Sequence, residues 1–139
     1  MLKRNIVVKI GGSLLFTEDF KINVKKIDEF CRIFKDTKIL GTHIIVCGGG
    51  IIARKYINAV RSFQGTESLC DIFGIELSRI NSHLLISGFQ EFAYPQVPTS
   101  IKELSIAILF NKIIAMGGLQ PGQSTTCLLY TSPSPRDRS

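Results

Sequence analysis

Between Ile44 and Lys55 the chain reads Ile44-Ile45-Val46-Cys47-Gly48-Gly49-Gly50-Ile51-Ile52-Ala53-Arg54-Lys55. This stretch limits what the chain can fold into more than any other. Ile44 to Cys47 is too short for a helix and rich in β-branched residues, so it reads as an interior strand. Three glycines in a row let the backbone turn sharply and let a ligand approach the main chain with no Cβ in the way. A helix starting near Ile51 directs its free N–H groups and positive dipole end at that space. Arg54 stands one turn inside, where its planar fork can meet a phosphate. Strand, glycines, helix and arginine together describe an anion cradle. A glycine-rich βα turn with a solvated arginine is the plainer alternative.

The pattern recurs twice. Ile6-Val7-Val8-Lys9-Ile10 reads as a strand running into Gly11-Gly12-Ser13. Lys9 interrupts this apolar run near its C-terminal end, where an open parallel sheet binds ligands. A lysine there costs desolvation unless an anion meets it, or it snorkels to water from an edge strand. Lys112 to Met116 reads as a further strand, followed by Gly117-Gly118 and a polar loop to Thr126. Between the first two strands, Val24, Ile27, Phe30, Ile33 and Phe34 recur at helical spacing, with Asn23 as N-cap. The chain returns through Ile39 to Cys47. Strand, helix and strand make a βαβ unit, so the sheet is at least partly parallel. All three glycine turns then fall on one edge. No G-x-x-x-x-G-K-[ST] and no G-x-G-x-x-G is present, which argues against a Walker loop and a dinucleotide fold.

The helix after the cradle is expected to run to about Phe63 and to break at Gln64-Gly65-Thr66. Glu67 to Phe89 reads as a long helix interrupted at Gly74, with Leu69, Ile72, Phe73, Leu77, Ile80, Leu84 and Leu85 as its apolar stripe. By spacing alone, Asp71 and Arg79 read as an ordinary surface pair. Phe92 to Pro98 is a short extended segment, and Ile101 to Leu109 a short surface helix. Neither His43 nor His83 has the setting of a catalytic base. The fold class is α/β, an open, mainly parallel sheet.

The bulk of the chain narrows the function. Its 139 residues suffice for one domain with a core, and 45% hydrophobic with 20% charged residues describes a globular chain. No apolar run is long enough to span a bilayer and Met1-Leu2-Lys3-Arg4 does not open a signal peptide, so no membrane contact and a cytoplasmic location are expected. Cys31, Cys47, Cys70 and Cys127 form no C-x-x-C pair, and neither structural zinc nor a disulfide framework is expected. The net charge of +6 suits an anionic substrate, while the scattered cations do not suit a nucleic acid. Residues 127–139 break from the rest in composition, being rich in Ser, Pro and Arg. They resemble a translated sequencing adapter and are expected to be disordered, leaving 1–126 as the domain.

Six pieces carry a family resemblance: V-V-K-I-G-G-S at 7–13, G-G-G-I-I-A-R-K-Y-I at 48–57, D-I-F-G-I at 71–75, S-R-I-N-S-H-L-L-I at 78–86, A-Y-P at 93–95 and M-G-G-L-Q-P-G-Q-S-T at 116–125. In order and spacing they resemble the amino acid kinase superfamily, and within it the archaeal-type uridine monophosphate kinases. The resemblance implies a three-layer α/β/α fold and transfer of the γ-phosphate of ATP to UMP, with Mg2+. It implies that Gly12, Ser13 and Gly50 face ATP, and that Lys9 and Arg54 neutralise the transferred phosphoryl group, Arg54 also meeting ATP. Gly49 matches a nucleoside-monophosphate contact, and Asp71 the carboxylate that accepts from the ribose hydroxyls. Leu119, Gln120, Pro121, Gly122, Gln123, Ser124 and Thr125 match the segment that wraps uracil and the acceptor phosphate. In the family a second half of the sheet completes the ATP site. The chain is therefore expected to be truncated before that C-terminal half, inactive alone, and a homo-oligomer, a hexamer by resemblance, when full length. The alternatives are another phosphotransferase of the superfamily, of the isopentenyl phosphate kinase type, or a non-catalytic anion-binding protein on the same fold. A histidine expected in or after the G-G-G turn of the former has no counterpart in Ile51-Ile52-Ala53-Arg54.

Overall fold

The computed structural model describes residues 6–37 and 42–119. Strand β1, Ile6–Ile10, enters a four-residue helix α1, Gly12–Leu15, and then helix α2, Val24–Thr37. Strand β2, His43–Cys47, leads into α3, Gly50–Ser62, and α4, Glu67–Phe89. A 3₁₀ turn at Gln90–Phe92, helix α5, Ile101–Ile108, and strand β3, Ile114–Met116, complete the order.

The three strands lie in the order β1-β2-β3, and both pairings are parallel. The central strand β2 is buried at every residue, as its unbroken apolar run requires. Its alternate residues serve two cores. Ile45 and Cys47 join Ile27 and Cys31 of α2 and Leu85 and Phe89 of α4 on one face. Ile44 and Val46 join Leu104 and Ala107 of α5 on the other. Helices thus cover both faces of the sheet, the three-layer arrangement that the family resemblance implies.

Local chemistry explains where the helices begin. The Asn23 side chain accepts from Lys26 N at 3.2 Å, Thr66 caps α4 through Leu69 N, and Ser100 caps α5 through Glu103 N. The Glu103 carboxylate accepts in turn from Thr99 N at 2.8 Å and from the Thr99 hydroxyl at 2.9 Å, which holds its pKa below the usual value. Between α3 and α4 the chain turns at Gln64, in the left-handed region at φ 60°, and at Gly65. A Cβ at Gly65 would overlap the Val60 side chain.

Several expectations need correction. The expected Gly11-Gly12-Ser13 turn continues as a short helix, with Gly12 and Ser13 in the first turn of α1. Gly74 does not interrupt α4, which is continuous over 23 residues. One helical glycine costs about 1 kcal/mol, too little to break a ladder held by packing on both sides. The buried face of α4 is not the expected apolar stripe. Leu69, Ile72 and Ile80 are exposed, while Ser78, Asn81 and Ser82 are buried. On α2, Val24 and Ile33 also face outward. Helix α5 lies at the surface as expected and packs Leu104 and Ala107 into the second core. The expected start of the second strand at Ile39, the segment 120–126 and the tail 127–139 lie outside the described residues. Among the described residues no helix is long and apolar enough to cross a membrane.

Cys31 and Cys47 are buried free thiols, and burial pushes the pKa of each up to about 11. An ordinary thiol titrates at about 9, so between pH 9 and 11 the unfolded chain ionises first. The stabilisation from keeping both thiols neutral is complete below pH 9 and is lost as pH rises toward 11. We expect iodoacetamide at pH 8 to leave both residues unmodified in the folded chain and to label both in urea, as read by peptide mass spectrometry. The urea midpoint is expected to fall between pH 8 and pH 10.5. Rapid native labelling of Cys47 would show that the centre of the sheet opens readily.

Candidate functional site

A parallel sheet brings the C-terminal ends of its strands to one edge. Here they end level, because Ile10 pairs with Cys47 and Val46 with Met116. The next residues are Gly11, Gly48 and Gly117, so all three glycine turns emerge side by side.

The first two turns touch. A Cβ built on Gly12 would lie 3.2 Å from Gly50 Cα and 3.5 Å from Ile51 N. Gly50 itself has φ +71°, a conformation that favours glycine. The two turns therefore meet backbone to backbone, with the Phe16 ring packed against Gly50. Behind it, Gly49 is the residue before the first turn of α3, and its carbonyl accepts from Ala53 N at 3.4 Å. The α3 N-terminus thus opens at this surface, with Arg54 exposed one turn inside.

The third turn is tied to the second through α4. Ser78 Oγ accepts from Gly118 N at 2.9 Å. One turn further on, Asn81 Nδ2 donates to Gly48 O at 2.8 Å and to Gly49 O at 3.3 Å. Arg79 donates through Nε to Gly118 O at 3.1 Å and through Nη2 to Leu119 O at 3.0 Å. Its remaining nitrogen lies 3.6 Å from Glu76. Arg79 is therefore a backbone clamp, not the surface partner of Asp71.

The remaining candidates take different places around this edge. Lys9 is exposed on the edge strand β1, level with Val46. Ser13 is exposed in the first turn of α1. Asp71 is exposed on α4, one turn before Gly74. The Gly74 carbonyl would lie 3.3 Å from a Cβ on Gly49, so helical spacing sets Asp71 near the back of the cradle. Leu119 is buried in the second core. Gln120, Pro121, Gly122, Gln123, Ser124 and Thr125 lie outside the described residues. An apolar recess of about 370 Å³ beside Asn81, lined by Phe16, Ile52, Leu77 and Leu84 among others, offers no cation to an anionic ligand.

Residues 4–126 match the model of the amino acid kinase family. The chain belongs to that family. Among curated relatives, the uridylate kinase of Methanococcus aeolicus is 42% identical over 121 residues, covering 86% of this chain and 53% of the relative. That of Methanosarcina mazei is 38% identical over 120 residues, covering 86% of this chain and 50% of the relative. The crystal structure of uridylate kinase from Archaeoglobus fulgidus superposes with a TM-score of 0.75 at 32% identity, covering 88% of this chain and 53% of that one. The UMP kinase structure from Ureaplasma parvum, with a TM-score of 0.69 at 22% identity, shares the fold. The chain spans about half the length of the curated relatives it matches.

In this amino acid kinase family chain, the sequence pattern missed the polar residues of α4 that carry the turns. A signal for them exists. Ser78, Asn81 and Ser82 recur at helical spacing within an otherwise apolar helix, and a buried polar row needs a partner. The glycine turns are the partners of Ser78 and Asn81, and Ser82 donates within α4 to Ser78 O.

Proposed function

We propose that this chain provides the UMP-binding part of a uridylate kinase, which transfers the γ-phosphate of ATP to UMP and yields UDP. The observation that carries this reading is the fused Gly12–Gly50 backbone surface at the sheet edge. Backbone N–H groups at glycine turns of this kind suit phosphate groups. The relatives named as uridylate kinases supply the substrate.

Phosphoryl transfer asks the protein for position and charge neutralisation rather than a nucleophile. In the proposed site Gly12, Ser13 and Gly50 cradle the phosphates of ATP. Gly49 approaches the acceptor phosphate, and Lys9 and Arg54 neutralise the charge that passes between the two. Asp71 accepts from the ribose hydroxyls, and Leu119 to Thr125 close over the uracil. Among the described residues no group of three His, Cys, Asp or Glu side chains is placed to hold a metal ion. A magnesium ion would therefore be held by phosphate oxygens and water, and would supply further charge neutralisation there. The same reading places the full-length protein in the cytoplasm as a homo-oligomer.

Calorimetry with separate nucleotides tests this. The 139-residue chain is expected to bind UMP in preference to CMP and AMP. Asp71→Asn is expected to weaken UMP by about 1 to 3 kcal/mol, because a charged acceptor becomes a neutral one. Equal affinity for AMP, or no UMP binding, overturns the reading. Joining residues 1–126 to the second half of the Methanococcus aeolicus relative tests transfer itself, through UDP formation.

A further inference from the structure

Resting on that reading, we propose that Asn81 is a positioning residue that aims the Gly49 amide at the phosphate of a nucleoside monophosphate. Asn81 is 5% exposed and lies on the inner face of α4. Its amide nitrogen carries two hydrogens and donates to two successive carbonyls, Gly48 O at 2.8 Å and Gly49 O at 3.3 Å. Both partners are acceptors, so the orientation of the amide is fixed by its surroundings.

The consequence follows from peptide geometry. In a trans peptide the carbonyl of one residue and the N–H of the next point in opposite directions. Holding Gly48 O and Gly49 O toward α4 turns the N–H groups of Gly49 and Gly50 away from it. Three glycines supply no side chains to hold that orientation, and glycine loses more freedom on ordering than any other residue. Ala53 N also holds the Gly49 carbonyl, at 3.4 Å, and Asn81 supplies the restraint on Gly48 O that turns the Gly49 N–H. Ser78, one turn earlier on the same helix, holds Gly118 N, so α4 sets two glycine turns in one register.

A residue that only satisfies buried carbonyls would affect folding and every ligand alike. A residue that aims an amide at phosphate would affect the phosphate-bearing ligand alone. The test compares UMP with uridine by calorimetry in the wild-type chain and in Asn81→Asp, Asn81→Ser and Ser82→Ala. Asn81→Asp keeps the shape and turns an acceptor toward the carbonyls, and Asn81→Ser keeps one donor should the aspartate variant fail to fold. Ser82→Ala is the control, being equally buried but bonded within α4 to Ser78 O. We expect the ratio of UMP to uridine affinity to fall about tenfold or more in the Asn81 variants, the worth of a lost hydrogen bond to a charged group, and to hold in Ser82→Ala. An unchanged ratio in a folded Asn81 variant overturns the positioning role and leaves the kinase reading intact. A wild-type chain that binds UMP no better than uridine overturns both.

Discussion

Gly117→Ala is expected to destabilise the chain by about 3 kcal/mol or more, at the upper end of what overpacking costs. A Cβ at this position would overlap Ser78 Oγ and lie 2.7 Å from Ser78 C and 2.8 Å from Arg79 N. The first obstacle is a side-chain atom, but the other two are helix backbone. Ser78→Ala would clear only the hydroxyl, so the double variant is expected to remain as unstable as Gly117→Ala. It would also leave Gly118 N without its acceptor. Relief requires the end of β3 to move off α4, which would disturb Met116, Ile114 and the Arg79 bonds to Gly118 and Leu119. Urea denaturation of the three proteins measures this. A midpoint in Gly117→Ala within experimental scatter of wild type would show that β3 yields easily, and that the third turn is not rigidly registered against α4.

This close approach also explains which parts of the molecule were legible in sequence. The strands were, because β-branched runs bounded by glycine have few alternatives, and β1 occupies the expected Ile6–Ile10. The parallel pairing and the shared edge follow from the βαβ pattern and are present. The inner face of α4 was not legible. Its buried residues at 78 and 81 are polar because glycine turns from two strands lie against them, and those turns are more than thirty positions away in sequence. Periodicity weighs apolar residues, so it assigned Leu69, Ile72 and Ile80 to the core. Arg79 was misread for the same reason. Its partners are carbonyls some forty residues on, and the nearby Asp71 offered a local alternative.

Gly49→Ala tests the cradle itself, and here rescue is expected. Gly49 has φ −76° and ψ −22°, so alanine meets no backbone strain. On conformational grounds the substitution would even stabilise by about 0.4–1 kcal/mol, through the unfolded chain. Contact reverses the sign. The new Cβ would overlap the Ala53 Cβ and lie 3.3 Å from Gly74 O. We expect a net loss of about 1 to 3 kcal/mol. The severe obstacle is one methyl group, so Ala53→Gly removes it at a helix-propensity cost of about 1 kcal/mol. Each single variant should therefore be unstable, while the double variant should lose less than the two losses added. A coupling of about 1 kcal/mol or more in a urea double-mutant cycle is the expected result. The added methyl group points at Ala53 and the Gly74 carbonyl, behind the turn, so UMP affinity is expected to return with stability in the double variant. Additive losses would place the strain elsewhere, at the contact between Gly49 and the Gly74 carbonyl, where α3 and α4 meet behind the turn.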